Sequence, residues 1–418
     1  MLVGTPAKRA GALKLLGEHL RELERLADTA GATVVGQITQ QLDRPHPGTY
    51  LGKGKIDELK AMVQDTSATL IIFDDELSPS QGNNIETMVG TRVVDRAELI
   101  LDIFATRARS SEAKMQVELA QLEYTLPRLT RMWTHLEKFR GGIGVRGPGE
   151  TQLETDRRLI NHRIKLLKER LAHVQQNRVV QRQSRADSFK ASIVGYTNAG
   201  KSSILRGMTG AMDVHVEDRL FATLDPLTRE VDLGENAHVL LTDTVGFIRK
   251  LPHHLVASFR ATLEETRDAD LLLHVVDASH PLWEEQRLVV DQVLLDLGLN
   301  EQPVLLVFNK TDLLSEEALL HLQERVTTLV PSAIFVNTTA DEALDPLRRA
   351  LRHAVRALRP VAEVWMSTGD GRMLAEIHSQ GEVLDQRTEG DQLVVRARLP
   401  ERLRGRLEQA GARIKTPA

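Results

Sequence analysis

Apolar and polar positions alternate at two different periods along the N-terminal quarter of the chain. Short apolar runs lie at 33–38, 69–73 and 91–94, and stretches of helical spacing lie at 13–30 and 56–64. This alternation predicts a small α/β domain over residues 1–106.

Strand patterns disappear between residues 107 and 185. Apolar residues recur there at helical spacing, at Met115, Leu119, Leu122 and Leu126 and then at Leu159, Ile164, Leu167 and Leu171. The spacing predicts two long antiparallel helices, separated by a glycine-rich loop at 141–150 that is unsuited to a helix. Lys and Arg outnumber Asp and Glu about two to one in this region, which indicates a local basic surface. An ordinary solvated helical surface would have the same composition.

Strands and helices alternate again over residues 186–357, which predicts a mostly parallel, doubly wound sheet with helices on both faces. Residues 358–418 contain apolar runs at 361–366 and 393–397 and an amphipathic stretch at 372–378. These predict a small appended α/β domain. The predicted fold class is therefore α/β, with four domains at 1–106, 107–185, 186–357 and 358–418.

Composition narrows the class of protein. The chain has 418 residues, 41% of them hydrophobic, which is enough for several cores, and a net charge of −4, so any nucleic-acid contact has to come from a local basic face. It contains no cysteine, which excludes disulfides and thiolate sites and is typical of a reducing compartment. No apolar run is long enough to cross a bilayer, so we expect a cytoplasmic protein without a membrane span.

Three short motifs follow apolar runs in a fixed order along residues 195–312. Residues 195–202 read Gly-Tyr-Thr-Asn-Ala-Gly-Lys-Ser after an apolar run, a phosphate-binding loop in which Lys201 reaches phosphate oxygens and the Ser202 hydroxyl meets Mg²⁺. Asp243 ends a later apolar run, where a parallel-sheet nucleotide site needs an acid near Mg²⁺, and Gly246 can offer a backbone N–H to a γ-phosphate. Without the preceding phosphate-binding loop, Asp243 would be typical of an ordinary strand end.

The third motif selects the base. In Asn309-Lys310-Thr311-Asp312, the Asp312 carboxylate can accept from the two donors on the edge of guanine, each bond worth roughly 1.5–3 kcal/mol, and adenine lacks that donor pair. Asn309 would tie this loop to the phosphate loop and the stem of Lys310 would lie against the base. The predicted ligands are GTP or GDP with Mg²⁺.

Further motifs resemble the HflX family of GTPases over nearly the whole chain to about residue 357. They include 50–55 (Tyr-Leu-Gly-Lys-Gly-Lys), 77–81, 94–96, 103–105, 116–122, 127–129, 141–150, 218–226 and 243–252. The last segment is similar only to the variable C-terminal domain of bacterial members. The resemblance implies a monomeric, cytoplasmic GTPase that docks on the large ribosomal subunit and its rRNA with GTP bound and dissociates stalled or hibernating ribosomes. A peripheral membrane location through bound ribosomes is the alternative expectation.

The resemblance also assigns site residues. Those at the nucleotide are Gly195, Tyr196, Thr197, Asn198, Ala199, Gly200, Lys201, Ser202, Ser203, Phe221, Ala222, Thr223, Asp243, Thr244, Val245, Gly246, Asn309, Lys310, Asp312, Asn337 and Thr338. Lys201, Thr223 and Gly246 take the catalytic positions, and Ser202 and Thr223 the metal positions. Thr228 is the alternative switch threonine. Phe247 stands where Ras-like GTPases carry a water-orienting glutamine, so intrinsic hydrolysis is expected to be slow.

Departures from the family's motifs and the candidate RNA contacts need separate expectations. Asn337-Thr338 replaces the usual Ser-Ala of the family, and Asp341 and Ala343 replace its glycines, so weaker base affinity is expected. Arg146 is expected near RNA, although it could instead pin its loop to Glu150 or Glu154.

Lys53 and Lys55 are also expected near RNA. Their glycine-flanked motif could instead form a second nucleotide site, but it lacks the full phosphate-loop spacing, and a tight turn is favoured.

Three functions fit the sequence: a ribosome-splitting GTPase, an assembly GTPase of the Obg type that acts on the large subunit, and a GTP-dependent ribosome-binding module in which hydrolysis only resets the cycle.

Overall fold

A computed structural model of the chain describes residues 1–8, 12–129, 149–183, 188–211, 217, 219–235, 237–251, 266–299, 301–358 and 361–415. The chain forms two compact units. The first comprises Met1–Arg178 together with Glu217–Asp225 and Val245–Thr262, and the second comprises Val179–Val216, Pro226–Thr244 and Leu263–Ala418. The two short segments of the first unit interrupt the predicted nucleotide domain in the sequence, and the bounds of the four predicted domains stay predictions.

The N-terminal part of the first unit is a parallel four-stranded sheet in the order β2-β1-β3-β4. Its elements are β1 Leu2–Gly4, α1 Ala12–Thr29, β2 Gln37–Thr39, α2 Lys53–Thr66, β3 Leu70–Phe73, α3 Pro79–Val89, β4 Arg92–Asp95 and α4 Arg96–Arg107. Ile71 and Phe73 on β3 are fully buried against Leu59 of α2 in one apolar core. The predicted α/β character of this region is confirmed.

The helical region follows as α5 Ser111–Thr125, a 3₁₀ turn at Leu126–Arg128, and α6 Gly149–Gln183. Leu119 packs against Leu167 and Leu171, which are among the residues whose spacing predicted the helices. Arg163 of α6 donates two bonds to Glu118 of α5, at 2.6 and 2.9 Å. Most of the glycine-rich loop lies outside the described residues, so the antiparallel hairpin stays a prediction. No helix in the described ranges is long and apolar enough to span a membrane.

The second unit contains a six-stranded sheet in the order β10-β9-β8-β5-β7-β6, in which only β6 runs antiparallel to its neighbour. Its elements are β5 Phe189–Gly195, α7 Lys201–Thr209, β6 Leu227–Asp232, β7 His238–Asp243, β8 Leu271–Asp277, α8 Trp283–Asp296, β9 Val304–Asn309, α9 Glu316–Leu329, β10 Ile334–Phe335 and α10 Asp345–Leu358. Gly195, Asp243, Asp277 and Asn309 each end a parallel strand. Their side of the sheet is the carboxyl edge, where such sheets bind ligands. The mostly parallel fold is confirmed.

The C-terminal segment is an antiparallel sheet in the order β12-β13-β11-β14. Its elements are β11 Val361–Ser367, α11 Gly371–Gln380, β12 Glu382–Glu389, β13 Gln392–Arg398, α12 Glu401–Gln409 and β14 Arg413–Lys415. Val364 and Ala397 pack against Ile377 of α11 and Leu407 of α12 in a closed apolar core. The sequence pattern predicted β11, α11 and β13, but not the two outer strands.

Candidate nucleotide-binding site

The turn from β5 into α7 is built around two glycines in conformations that other residues avoid. Gly195 has φ +151°, and a Cβ there would lie 2.3 Å from the carbonyl oxygen of Val275. Gly200 has φ +92°, and a Cβ there would lie 2.1 Å from Nδ2 of Asn309. Gly200 caps α7 without a side-chain hydrogen bond, so no cap side chain covers the amides of the first helical turn. An uncapped helix N-terminus behind a glycine turn suits a phosphate group.

Lys201 is buried at the start of α7, and its ammonium group points back into this turn. Its Nζ donates to the carbonyl oxygens of Tyr196 at 2.8 Å and Gly195 at 3.3 Å. Burial lowers the pKa of Lys201 to about 8, which Asp243 opposes and the charge of Lys310 reinforces. The cation is therefore held inside the loop, where phosphate oxygens could replace its two carbonyl partners.

Ser202 and Asp243 bring the predicted magnesium position together. The Ser202 hydroxyl donates to Oδ2 of Asp243 at 2.6 Å, and Asp243 is 1% exposed. Thr244 is anchored beside them, since its hydroxyl donates to the carbonyl oxygen of Ile193 at 2.7 Å. Ser203 follows on the same helical turn and is half-buried. A hydroxyl and a carboxylate are the hard oxygen groups found around Mg²⁺ in phosphate sites, so these residues fit the metal.

The base-selecting loop is tied to the phosphate loop. Nδ2 of Asn309 donates to the carbonyl oxygen of Ala199 at 3.0 Å, the connection expected from the sequence. Thr311 closes the loop from the other side, with its hydroxyl 3.0 Å from the carbonyl oxygen of Val336. The Asp312 side chain is exposed, so its carboxylate is accessible to a base.

The structure adds Asp277 to this loop, a residue that the motifs did not single out. Nζ of Lys310 lies 2.8 Å from Oδ2 of Asp277, and Lys310 has φ +63°. Asp277 also accepts from the backbone and the hydroxyl of Ser279, at 3.0 and 2.6 Å. Its position at the end of β8, on the carboxyl edge between β5 and β9, was a signal available in the sequence.

The altered base-support loop has a turn of its own. Oδ1 of Asn337 accepts from the backbone N–H of Thr339 at 3.2 Å and from its hydroxyl at 2.8 Å. Such side-chain turns shape a loop that has no glycine. Thr338 is half-buried between them, and Asp341 and Ala343 lie in a 3₁₀ turn over Asp341–Leu344.

The switch candidates Phe221, Ala222, Thr223, Val245 and Gly246 belong to the first unit. Phe221 has φ +55° and is 1% exposed. Its ring packs edge-on against the Phe104 ring, with 4.7 Å between the ring centroids.

Asp225 anchors the end of the same segment on the helical region. Its carboxylate accepts from the backbone N–H groups of Arg109 at 3.1 Å and Ser110 at 3.2 Å, and from the hydroxyl of Ser110. Thr228, the alternative switch residue, instead lies in β6, with its hydroxyl 2.9 Å from that of Thr242.

The segment after Gly246 is fixed to the N-terminal sheet by buried ion pairs. Arg249 binds Asp74 at 2.8 Å through both carboxylate oxygens, and Lys250 binds the same side chain at 2.9 Å. Arg96 donates to Asp74 at 2.9 Å, and both arginines also bind Glu22 of α1. We call these five residues the Asp74 cluster.

Burial alone would raise the pKa of Asp74, but Arg96, Arg249 and Lys250 outweigh it and hold that pKa below its usual range. Asp74 follows β3 at the carboxyl edge of the N-terminal sheet, beside the end of β1. The chain continues from β1 to β2 on one side of this point and from β3 to β4 on the other. Phe247 and Ile248, which precede Arg249, are buried.

The predicted RNA residues lie apart from these contacts. Lys53 begins α2 and is exposed, and Lys55 pairs with Glu58 at 2.7 Å. The expected tight turn is instead the first turn of α2, and the backbone N–H of Gly52, which caps that helix, donates to Oε1 of Gln40 at 3.0 Å. Arg146 lies outside the described residues.

Comparisons with known proteins agree with this site. Residues 17–105 match a family described as GTP-binding GTPase N-terminal, residues 107–185 one described as GTP-binding GTPase Middle Region, and residues 190–310 one described as 50S ribosome-binding GTPase.

Curated relatives cover most of the chain. A GTPase HflX of Flavobacterium psychrophilum is 46% identical over 361 residues, which is 82% of this chain and 87% of that protein. One of Lacrimispora saccharolytica is 45% identical over 92% of this chain and 90% of its own length. One of Escherichia coli is 51% identical over 72% of this chain and 70% of its own length. The chain therefore belongs to the HflX family of GTPases.

Proposed function

We propose that this protein hydrolyses GTP with Mg²⁺, binds the large ribosomal subunit in its GTP form, and separates the subunits of stalled or hibernating ribosomes. Hydrolysis would then permit release. The observation that carries the proposal is that both switch segments are built into the unit that contains the N-terminal sheet and the helical region. A change at the γ-phosphate would thus act on the part of the chain with the basic excess.

Each site residue has a chemical task in this proposal. Lys201 would neutralise phosphate oxygens, and Ser202, held by Asp243, would present its hydroxyl to the metal. Asp312 would accept from guanine while Asn309 keeps the base loop in register with the phosphate loop. Bound Mg²⁺ would supply charge neutralisation at the β- and γ-phosphates. Thr223 and Gly246 would read the presence of the γ-phosphate.

Two groups of contacts hold the switch segments to the rest of the first unit. Thr223 lies between Phe221, which packs on Phe104, and Asp225, which holds the N-terminus of α5. Gly246 lies three residues before Arg249 in the Asp74 cluster. A movement of Thr223 or Gly246 by a few ångströms would have to break these contacts or move the contacting residues as well.

The ribosome would contribute to catalysis. Phe247 is 1% exposed, and its ring can neither donate a hydrogen bond to water nor accept one as a glutamine would. Intrinsic turnover would therefore be slow until the ribosome orders the switch segments or supplies the missing group. Lys53, Lys55 and Arg146 remain our candidates for contact with rRNA.

A paired experiment tests the proposal. Phosphate release from GTP is measured with and without large subunits, and intact ribosomes from the same mixtures are separated on a density gradient. We expect strong stimulation by large subunits and conversion of intact ribosomes to subunits. Lys201→Ala should abolish both, and Lys60→Ala, which removes an exposed lysine of α2, should change neither. Equal rates with and without subunits, or subunit separation that does not need Lys201, would contradict the proposal.

The same mixtures distinguish the alternatives. Full separation with a non-hydrolysable GTP analogue would indicate that binding of the GTP form, and not hydrolysis, drives the separation. Binding to precursor subunits but not to mature ones would indicate an assembly factor. A mass measurement on the purified protein would test the expected monomer, and cell fractionation would test the cytoplasmic location.

A further inference from the structure

The C-terminal sheet has one covered face and one open face. Its elements run β11-α11-β12-β13-α12-β14 with every neighbouring pair of strands antiparallel, the split βαβ arrangement. Val364 and Ala397 face the two helices, so the residues next to them in the strands, such as Trp365 and Arg396, lie on the opposite face. The matched family segments end at residue 310, so none of them assigns a task to this face.

Trp365 lies near the middle of the open face, on the central strand β11. Its register partners are Val394 on the other central strand and Arg413 on β14. Val394 is 1% exposed although it is on the open face, so its neighbours on that face cover it, while Trp365 itself is only half-buried. Nζ of Lys415 lies 5.2 Å from the centre of the Trp365 ring system. The indole thus forms a flat apolar platform with cations beside it.

The charges on this face are numerically close to balance but are not evenly paired. Its basic residues are Arg387, Arg396, Arg398, Arg413 and Lys415, and its acidic residues are Glu363, Glu382, Asp385 and Glu389.

Most of the acids are occupied by two arginines. Glu363 and Glu389 both bind Arg387, at 3.3 and 2.8 Å. Glu382 binds Arg356 of α10 at 2.9 Å and also lies 3.9 Å from Arg398.

The remaining cations surround the indole. Within the described residues, Arg396, Arg413 and Lys415 are exposed and form no ion pair, and Asp385 at the outer strand is the one acid of this face left over. An anionic ligand with a flat apolar part would pair with these cations and stack on the half-buried ring.

We propose that this open face binds single-stranded RNA, with one base stacked on Trp365 and with phosphates held by Arg396, Arg413 and Lys415. One class of RNA-binding module has a four-stranded sheet of this topology and stacks bases on aromatic residues of its central strands, while basic side chains hold the backbone. An acidic protein segment would use the cations but not the indole platform. The proposal goes beyond ribosome splitting, because it concerns free RNA and does not require GTP.

The test uses the full-length protein with Trp365 as its only tryptophan, through Trp133→Phe and Trp283→Phe. A 12-nucleotide single-stranded RNA is titrated while tryptophan emission is recorded. We expect saturable quenching of Trp365, because a base stacks on its ring. Arg396→Gln with Arg413→Gln should weaken the quenching affinity about tenfold and reduce its salt dependence, since two phosphate contacts are lost. Arg349→Gln, which changes an exposed arginine of α10 that is not part of the C-terminal sheet, should change neither.

Because Trp365 is the only tryptophan in this variant, its emission reports RNA binding at the open face and not elsewhere on the protein. If labelled RNA binds while Trp365 emission stays constant, the proposal is wrong. Quenching by polyglutamate but not by RNA would also overturn it and would indicate an acidic protein partner. Trp365→Leu, compared by thermal melting to establish that it folds, should lose about tenfold in RNA affinity and keep normal GTP hydrolysis. Because no ribosome is present, failure of ribosome splitting would leave this result unaffected.

Discussion

Raising the pH above 8 should weaken nucleotide binding through one side chain, Lys201. Its ammonium group is fully buried in the phosphate loop, and burial lowers its pKa to about 8 in the free protein. Phosphates stabilise the charged form, so the pKa in the complex is higher. The favourable contribution is therefore complete below pH 8 and is lost as the pH rises above it.

The size of the effect follows from that pKa. Above pH 8 the affinity should fall towards tenfold per pH unit, because only the protonated fraction of the free protein binds tightly. At pH 9.5 about 3% of Lys201 would remain charged, which corresponds to about 30-fold weaker binding, or about 2 kcal/mol. At pH 7 the loss would be about a tenth of the affinity.

Calorimetric titration with GDP at constant Mg²⁺, from pH 7 to pH 9.5, measures this dependence. Guanine also loses its ring proton in alkaline solution, so Lys201→Arg serves as the matched control, because a guanidinium stays charged throughout the range. The control should keep only the dependence that the base causes. An affinity for the unmodified protein that stays flat to pH 9.5, or that falls equally in both proteins, would refute the assignment of Lys201.

Three further predictions test other parts of the molecule. Gly200→Ala should abolish GDP binding by calorimetry, because its Cβ would lie 2.1 Å from a base-loop amide nitrogen, whereas Gly210→Ala, whose Cβ would meet nothing within 4 Å, should retain it. Asp74→Asn should lower the free energy of unfolding in urea by about 3–5 kcal/mol, since buried cations lose their partner, and exposed Asp65→Asn should cost less than about 0.5 kcal/mol. Asp312→Ala should weaken GTP binding at least about 100-fold in competition titrations and leave ATP binding unchanged, because two charge-assisted bonds to guanine are lost; a parallel loss for ATP would contradict its role.

Much of the nucleotide site could be predicted because each motif follows a buried strand. Runs such as Phe189–Gly195 and Val304–Asn309 give the strand, and a parallel sheet then brings their carboxyl ends to one edge. Local spacing therefore determined three-dimensional proximity. The bond from Asn309 to Ala199, which joins residues 110 positions apart, follows from this rule.

Other features depend on packing that leaves no local pattern. Arg249 and Asp74 are 175 positions apart and belong to no shared motif, so their ion pair could not be inferred from spacing. The strand Glu382–Glu389 has six exposed positions and lacks apolar alternation, because it is an outer strand whose partner supplies the core. Asp277 stands at a strand end, which the sequence does indicate, but its ion pair with Lys310 follows from packing and not from the motif.

The Asp74 cluster also limits how the protein can be recombined. Arg249 and Lys250 fill, from within the chain, the place beside β1 and β3 where a sheet of this kind would take a ligand. An N-terminal domain transplanted from a relative would have to bring carboxylates that match these two cations, or the graft would bury unpaired charge. In functional chimaeras of this family, the N-terminal sheet and the segment after Gly246 should therefore have to come from the same parent protein.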